Sequence, residues 1–295
     1  MIGPHQRSTV LITGVGGPAG RASASYFEAK GYRVIGTDMR RVESPASVFR
    51  LVPAAGDPGF PQALLEIAVD EGADLVLPTV TEELPVVARM RPALRERRIA
   101  LCVSDPPGVD IANDKLRTVR ELRNRGVAVP TTFPGTTPGA EVVGALGYPL
   151  LSKPRFGRGG RGVAIHWTED DLIGAGTDGI VWQAFLPGEE FDVNVFVDRG
   201  DRPATTVVLR KTALKEGLVG NALSVDRVSR PDVAALGLCA ARVLGLEGPV
   251  DIDIRLGNDG APAVLDVNAR VGANVLSARE VMDALDDAWR SGRCA

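Results

Sequence analysis

The sequence predicts an α/β protein, and three observations support that fold class. Apolar runs alternate with helix-like segments through the N-terminal third of the chain, and later runs are separated by a glycine-rich loop and tight turns. Hydrophobic residues make up 44% of the 295 residues, which is enough to bury a sizeable core. We therefore expect a sheet covered by helices first and antiparallel strands afterwards.

The N-terminal third is expected to form a parallel sheet with helices on both faces, because its strands alternate with helices of about a dozen residues. The predicted strands are TVLIT, RVIGTD, DLVLP and IALCV. The predicted helices cover residues 19–30, 61–71, 82–90 and 92–98.

A glycine turn, GVGGPAG, follows the first strand, and Asp38 ends the second. Such a turn lets a pyrophosphate approach the backbone, and the acid can bind ribose hydroxyls, so an NAD-dependent epimerase or dehydrogenase is one interpretation. That class would carry a Tyr-x-x-x-Lys pair. The formal match, Tyr26 with Lys30, lies on the helix directly after the turn, which is the wrong place for catalysis. The competing interpretation is a tight turn that packs a helix against the sheet.

The rest of the chain is expected to be mainly antiparallel, because strands there follow one another across loops and turns. The segment GVAVPTTF is predicted to be a turn and a strand, and the further predicted strands are YPLLSKP, WQAFL, FDVNVFVD, PATTVVLR, DIDIRL and PAVLDV. The predicted helices cover residues 115–125, 232–244 and 278–289.

One lysine and a glycine loop form a candidate phosphate site. Lys153 ends an apolar strand, where an unpaired charge is costly to bury, so we expect it to meet an anion. Gly157, Gly159 and Gly160 follow, and glycines let backbone N–H groups approach phosphate oxygens. A flexible hairpin tip is the alternative, and a loop that closes as a lid would satisfy both interpretations.

Three polar side chains near the C-terminus form a candidate metal site. Asp253 lies on one predicted strand, and Asp266 and Asn268 lie on the next, where a period of two points both to the same face. Two carboxylates and an amide oxygen suit Mg²⁺ that shares phosphate oxygens, and Mn²⁺ is an alternative. The competing interpretation is surface acids on a β-hairpin.

At Lys115, Lys153 and Asp266-Val267-Asn268 the chain resembles the ATP-grasp superfamily, and most of all its carbamoyl-phosphate-synthase-like and carboxylate–amine ligase branch. The resemblance implies a Rossmann-like pre-ATP-grasp domain at residues 1–108. It also implies an α+β ATP-grasp fold of two subdomains, a small lid at 109–180 and a larger metal and substrate subdomain at 181–295. The activity it implies is ATP-dependent activation of a carboxylate as an acyl phosphate, attack by an amine, and release of ADP and phosphate.

The resemblance also implies residues that hold ATP. Lys115 would reach the α-phosphate and Lys153 the α- and β-phosphates. Backbone groups near Ala184 and Leu186 would pair with adenine, and Glu190 would hold the ribose hydroxyls. Beside these stands Gln183, where many members of the superfamily have glutamate.

Catalytic roles follow from the same resemblance. Arg270 resembles the arginine that stabilises the transferring phosphoryl group, where positive charge lowers the barrier. Arg210 and Lys211 end a strand where the superfamily often places basic residues for the γ-phosphate or the substrate carboxylate. Asp266 stands where glutamate is usual and is shorter by one methylene, so a catalytically degenerate nucleotide-binding protein is an alternative.

Bulk composition limits the expected partners. The net charge is −3 and aromatic residues are 5%, which predicts neither nucleic-acid nor membrane binding. The 3 cysteines are scattered and nothing resembles a signal peptide, so we expect a cytoplasmic protein. The resemblance implies small-molecule carboxylate and amine substrates, and a homodimer is a base-rate expectation.

Overall fold

Three β-sheets organise the residues that the computed structural model describes, which are 8–172, 178–198 and 203–294. One sheet is parallel and the other two are antiparallel. The α/β class expected from the sequence is confirmed.

The first sheet has the strand order β3-β2-β1-β4-β5, with all neighbours parallel. Its strands are β1 (Thr9–Thr13), β2 (Arg33–Asp38), β3 (Val48–Leu51), β4 (Leu75–Leu77) and β5 (Ala100–Leu101). The helices between them are α1 (Pro18–Ala29), α2 (Phe60–Asp70), α3 (Leu84–Arg89) and α4 (Arg91–Glu96). The sequence did not predict β3, which is a half-exposed edge strand without a clear apolar alternation.

The glycine turn after β1 packs α1 closely against the sheet. A Cβ at Gly20 would lie 2.3 Å from the Gly14 carbonyl oxygen, so only glycine fits there. The Asp38 carboxylate accepts a hydrogen bond from the Gly16 N–H at 3.0 Å. The turn and the acid therefore bind each other, and this contact favours the packing interpretation of the motif.

The second sheet is a small antiparallel one, with the strand order β6-β9-β7-β8. Two helices precede it, α5 (Pro106–Ala112) and α6 (Lys115–Asn124). The sheet and its helix comprise β6 (Thr132–Pro134), α7 (Gly139–Leu146), β7 (Leu150–Pro154), β8 (Ala164–His166) and β9 (Ile180–Ala184). Its own core is small, with Val142, Leu150 and Trp182 as the fully buried members.

The third sheet is antiparallel and has the order β12-β11-β10-β13-β14. It comprises β10 (Glu190–Val197), β11 (Thr205–Glu216), β12 (Val219–Arg227), β13 (Gly248–Leu256) and β14 (Pro262–Asn268), with α8 (Pro231–Val243) and α9 (Arg279–Arg290). Apolar side chains of this sheet share continuous cores with those of the parallel sheet. These two sheets form one packed body, to which the small sheet is attached.

Candidate active site

The third sheet presents two rows of polar side chains on one face, at positions that alternate along each strand with apolar residues. Strands β10, β13 and β14 are paired so that the rows are in register. The first row is Asp192, Asp253 and Asp266, and the second is Asn194, Asp251 and Asn268. Because successive side chains of a strand point to opposite faces, all six lie on the same face.

The opposite face of the same strands is apolar and fixes this orientation. Val193, Ile252 and Val267 lie between the polar residues and are buried in the core shared with the parallel sheet. A slip of one residue in the pairing would put the carboxylates into that core. The alternation of the sequence therefore positions the polar rows.

Lys211 holds two of the carboxylates together. Its ammonium nitrogen lies 2.6 Å from Glu190 and 2.5 Å from Asp253. Burial by itself lowers the pKa of Lys211, but Asp253 and Glu190 outweigh burial and raise that pKa above its ordinary value. Burial raises the pKa of Glu190, while Lys211 opposes the shift. The lysine is therefore a fixed positive charge between two carboxylates.

Lys153 and Lys115 converge on Asp266 from the small sheet and from α6. Lys153 is 6% exposed and donates from Nζ to the Leu265 carbonyl oxygen at 2.8 Å. Burial lowers the pKa of Lys153 to about 8, although Asp266 opposes the shift. Lys115 Nζ donates to the Gly157 carbonyl oxygen at 2.7 Å and lies 3.2 Å from Asp266. Lys115 thus pairs with Asp266, and Lys153 is held at the carbonyl group of the preceding residue.

Arg270 faces the second row. Its guanidinium lies 2.9 Å from the Asp251 carboxylate. Burial, and then the neighbouring Asp192, raise the pKa of Asp251 well above its ordinary value, while Arg270 opposes the shift. The polar face therefore has cations at both rows: Lys115 and Lys153 near Asp266, and Arg270 at Asp251.

These side chains line one cavity between the small sheet and the third sheet. Among the described residues, seven basic and five acidic side chains line it. The basic ones are Lys115, Lys153, Arg158, Arg161, Lys211, Arg255 and Arg270, and the acidic ones are Glu190, Asp192, Asp251, Asp253 and Asp266. An excess of cations beside a row of carboxylates suits a polyphosphate that carries its own metal ion.

The glycine loop covers this cavity. Gly157, Gly159 and Gly160 lie between β7 and β8, all with positive φ, and all line the cavity. A Cβ at Gly160 would lie 2.5 Å from the Gly220 Cα on β12, so the loop rests directly on that strand. The glycines are required both by backbone conformation and by this close approach.

Only some of the residues that the sequence suggests for binding adenosine line the cavity. Gln183 lines it, is almost fully buried, and donates from its amide to the Thr132 hydroxyl at 3.0 Å. Ala184 and Leu186 are not among the described lining residues, and the Ala184 N–H already donates to the Thr131 carbonyl oxygen at 2.9 Å. An adenine contact at Ala184 would therefore use a group other than this N–H.

Arg210 does not reach the cavity, unlike its neighbour Lys211. It is paired in register with Phe191 and therefore lies on the opposite face of the sheet from Asp192. Its side chain is 40% exposed and pairs with Glu189 at 3.2 Å and Asp226 at 3.0 Å. The structure leaves Arg210 outside the candidate site.

The metal ligands suggested by the sequence lie close together. Asp253 and Asp266 are directly opposite in the β13–β14 pairing, and Asn268 follows on the same face. Within the described ranges, no group of three or more His, Cys, Asp or Glu side chains could hold a metal by itself. Mg²⁺ needs no such group, because it commonly binds one or two carboxylates and completes its shell with phosphate oxygens and water. The donor set fits that mode, and the assignment stays a prediction.

Several polar residues in and beside the cavity were missed by the sequence argument. Asp192, Asn194 and Arg255 are buried on the polar face of the sheet, and Asn274 donates to Asp192 at 2.8 Å. The signal for Asp192 and Asn194 is present in EFDVNVFV, where polar residues alternate with apolar ones as they do around Asp266 and Asn268.

Comparison with known proteins identifies the domain. Residues 112–274 match the ATP-grasp domain family. The chain belongs to the ATP-grasp family. The match covers more than half of the chain and includes every described residue that lines the cavity. The resemblance inferred from the sequence is confirmed.

Individual relatives match parts of this ATP-grasp protein. The C-terminal section of a carbamoyl phosphate synthase large chain from Methanopyrus kandleri is 33% identical over 81 residues, 27% of this chain and 15% of that protein. A D-alanine–D-alanine ligase from a Synechococcus species is 27% identical over 192 residues, 57% of this chain and 58% of that protein. The matches thus span less than two thirds of either relative.

Solved structures extend the similarity in fold. An L-amino acid ligase from Bacillus licheniformis has 20% sequence identity and a TM-score of 0.69, covering 94% of this chain and 71% of that one. At this identity the likeness shows the fold alone. Other solved structures with the fold are complexes with ADP or MgADP. In the described part of this chain, no helix has the length and apolar character needed to cross a membrane.

Proposed function

We propose that the protein is an ATP-dependent carboxylate–amine ligase that activates a small carboxylate as an acyl phosphate and releases ADP and phosphate. The observation that carries the proposal is that Lys115 lies at Asp266 and Lys153 at the carbonyl oxygen of the preceding Leu265, in one cavity lined by a glycine loop. Two ammonium groups beside hard oxygen ligands suit the binding of a polyphosphate and its metal ion in phosphoryl transfer.

The domain organisation proposed from the sequence accompanies this function. The parallel sheet would be a Rossmann-like pre-ATP-grasp domain at residues 1–108. The small sheet would belong to the lid subdomain at 109–180, and the third sheet to the metal and substrate subdomain at 181–295. The cavity between the two antiparallel sheets would then lie between the lid subdomain and the metal and substrate subdomain. This position supports the proposal that the cavity binds the nucleotide.

The lysines would neutralise the phosphates. Lys115 and Lys153 already lie beside the glycine loop and would exchange their present partners, a carbonyl oxygen each and Asp266, for phosphate oxygens. Lys211 would keep Glu190 in place for the ribose. Catalysis would come mainly from positioning and charge neutralisation, so no separate general base is needed for phosphoryl transfer.

The magnesium ion would be held by Asp253, Asp266 and Asn268. A metal held there would supply positive charge that neutralises the phosphates. Arg270 would add positive charge at the far end of the polar rows, where its partner Asp251 keeps it in position.

The test is release of ADP and AMP from Mg·ATP, measured by chromatography against pools of amino acids, small carboxylates and amines. We expect substrate-dependent ADP. Substrate-dependent AMP would overturn phosphoryl transfer in favour of adenylation, and ATP binding without turnover in any pool would favour a degenerate nucleotide-binding protein. Binding of NAD without Mg²⁺ would revive the epimerase alternative, which neither the family match nor the relatives support.

A pair of aspartate variants tests the metal assignment. Asp266→Ala should abolish ADP release. Asp259→Ala is the matched control, because Asp259 is exposed at the tip of the same β13–β14 hairpin. Near-normal ADP release by Asp266→Ala would remove this residue from the metal site.

A further inference from the structure

A second cleft opens from the nucleotide cavity toward the parallel sheet. It reaches the turns that follow β1, β2 and β4, including Gly14, Asp38 and Thr79. The cleft and the cavity share six lining residues, Arg158, Gly159, Arg161, Asn221, Arg270 and Ala273. A molecule in the cleft would therefore meet the end of the cavity where Arg270 lies.

Glu83 is a buried carboxyl group on the wall of this cleft. It is 6% exposed, and its Oε2 atom has no hydrogen-bond partner among the described residues. Glu83 is the N-cap residue of α3, yet its side chain makes no capping hydrogen bond. A buried carboxylate oxygen without a partner is costly, and a ligand that donates a hydrogen bond to it would relieve that cost.

The other acidic groups that line the cleft already have partners. Asp38 accepts a hydrogen bond from the Gly16 N–H at 3.0 Å. Glu82 lies 2.6 Å from Arg158 on the glycine loop. Among the described acids of this cleft, only Glu83 has a buried oxygen without a hydrogen-bond partner.

Burial sets the proton affinity of Glu83, and neighbouring groups adjust it. Burial raises the pKa of Glu83 to about 7; Thr13 and Arg158 oppose the shift, and Asp38 and Glu82 add to it. A carboxyl group whose pKa lies near neutrality can accept a proton from an ammonium group and still be ionised often enough to bind it.

We propose that Glu83 binds the amino group of the nucleophile and accepts its proton before attack on the acyl phosphate. The inference rests on the proposed function and assigns the cleft to a small molecule with a primary amine. The unpartnered Oε2 supplies the acceptor, and the lining residues shared by cleft and cavity place the amine next to the end of the cavity where Arg270 lies.

The step balances as follows. The ammonium group transfers one proton to the Glu83 carboxylate and becomes a neutral amine. The amine nitrogen forms a bond to the acyl carbon, and the bond from that carbon to the phosphate oxygen breaks. Phosphate leaves with the bonding electron pair and takes the second proton that the nitrogen loses, which yields the amide, and Glu83 returns its proton to water.

The main experiment compares two nucleophiles in wild type and Glu83→Gln. With the amine and carboxylate found by the ADP assay, Glu83→Gln should form amide at least about 100-fold more slowly. With hydroxylamine, which is uncharged near neutral pH and traps the acyl phosphate as a hydroxamate, the two proteins should be similar. Glu66→Gln, an exposed substitution on α2, is the matched control.

The outcomes separate the two proposals. Equal amide formation by wild type and Glu83→Gln overturns the role of Glu83 and leaves the ligase function standing. Equal losses with the amine and with hydroxylamine also overturn it, because they place the defect in acyl-phosphate formation. A wild-type protein that releases no ADP and forms no hydroxamate counts against the ligase function.

A binding measurement decides the role of Glu83 without turnover. Thermal unfolding at pH 8 is followed with methylammonium chloride, and with tetramethylammonium chloride as a cation that has no N–H donor. Methylammonium should stabilise wild type and Glu66→Gln. For Glu83→Gln its dissociation constant should be about 10-fold larger. Equal stabilisation of all three proteins overturns the proposal.

Discussion

The polar face of the third sheet and the cleft at Glu83 both bury carboxyl groups, but they treat the charges differently. On the sheet, Asp253 and Asp251 each lie within 2.9 Å of a cation, Lys211 or Arg270. In the cleft, the buried Glu83 Oε2 has no partner among the described residues. Paired carboxylates hold a site in shape, whereas an unpaired one is a cost to the folded state that a ligand can relieve.

The largest expected effect comes from removing a positive charge beside the proposed phosphate site. Lys153→Met removes a buried ammonium group and should lower substrate-dependent ADP release about 100- to 1000-fold, because one preorganised cation at the phosphates is lost. ATP affinity, measured by calorimetry, should fall with it. Folding should survive, because methionine fills a similar volume without a charge to bury. Lys215→Met, an exposed substitution on β11, is the control, and equal behaviour of the two variants would contradict the role of Lys153.

The next prediction compares the unfolding free energies of variants at Lys211 and Arg210, two neighbours on β11 that point to opposite faces of the sheet. Lys211→Met leaves Glu190 and Asp253 without their shared cation and should cost about 3 kcal/mol of unfolding free energy, measured by denaturant titration. Arg210→Met removes a side chain that is 40% exposed and pairs with exposed carboxylates, so it should cost less than about 1 kcal/mol. The reverse order would mean that the buried pairing of Lys211 does not stabilise the sheet.

This contrast also shows how far the sequence could lead. The resemblance predicts both Arg210 and Lys211 as basic residues at the end of a strand. As neighbours on a strand they point to opposite faces, and the register of Arg210 with Phe191 shows that Lys211 is the one on the polar face. The alternation around Asp266 and Asn268 predicted their common face, and the same signal in EFDVNVFV was overlooked. Period-two patterns therefore predict which side chains of one strand share a face. They do not predict which strands are neighbours in the sheet or which face is buried.

Glu83 illustrates what the sequence could not provide. In TVTEELP it resembles an ordinary helix start, and nothing local separates it from Glu82. Its burial arises from segments far apart in the chain, since Thr13, Asp38 and Arg158 all act on its charge. Such a group becomes visible only when the fold brings these segments together. The strand β3 was missed for a related reason, because it is an edge strand defined by its pairing with β2.

The third prediction uses pH to sharpen the same comparison. The folded-state pKa of Glu83 is raised to about 7, so between about pH 4.5 and 7 the folded protein holds a proton that the unfolded chain has released. This group therefore lowers the unfolding free energy as pH rises through that window, by roughly 3 kcal/mol in all. Glu83→Gln should flatten the pH profile and be more stable than wild type at pH 8, as measured by urea titration. Parallel pH profiles for the two proteins would mean that the carboxyl is not buried as described.

The smallest effect concerns the loop that joins the two regions, since Gly159 lines both the cavity and the cleft. Gly160→Ala should cost about 1 kcal/mol for its positive φ and also push the loop away from Gly220, so KM for ATP should rise by about 10-fold while the rate at saturating ATP changes little. Gly179→Ala is a matched control, because Gly179 has the same φ of 69° and no atom within 4 Å of the added Cβ. If both variants lose stability but only Gly160→Ala loses ATP affinity, the contact of the loop with β12 is what closes the nucleotide cavity. If both lose affinity alike, backbone strain alone explains the glycines, and the loop is not held closed by that contact.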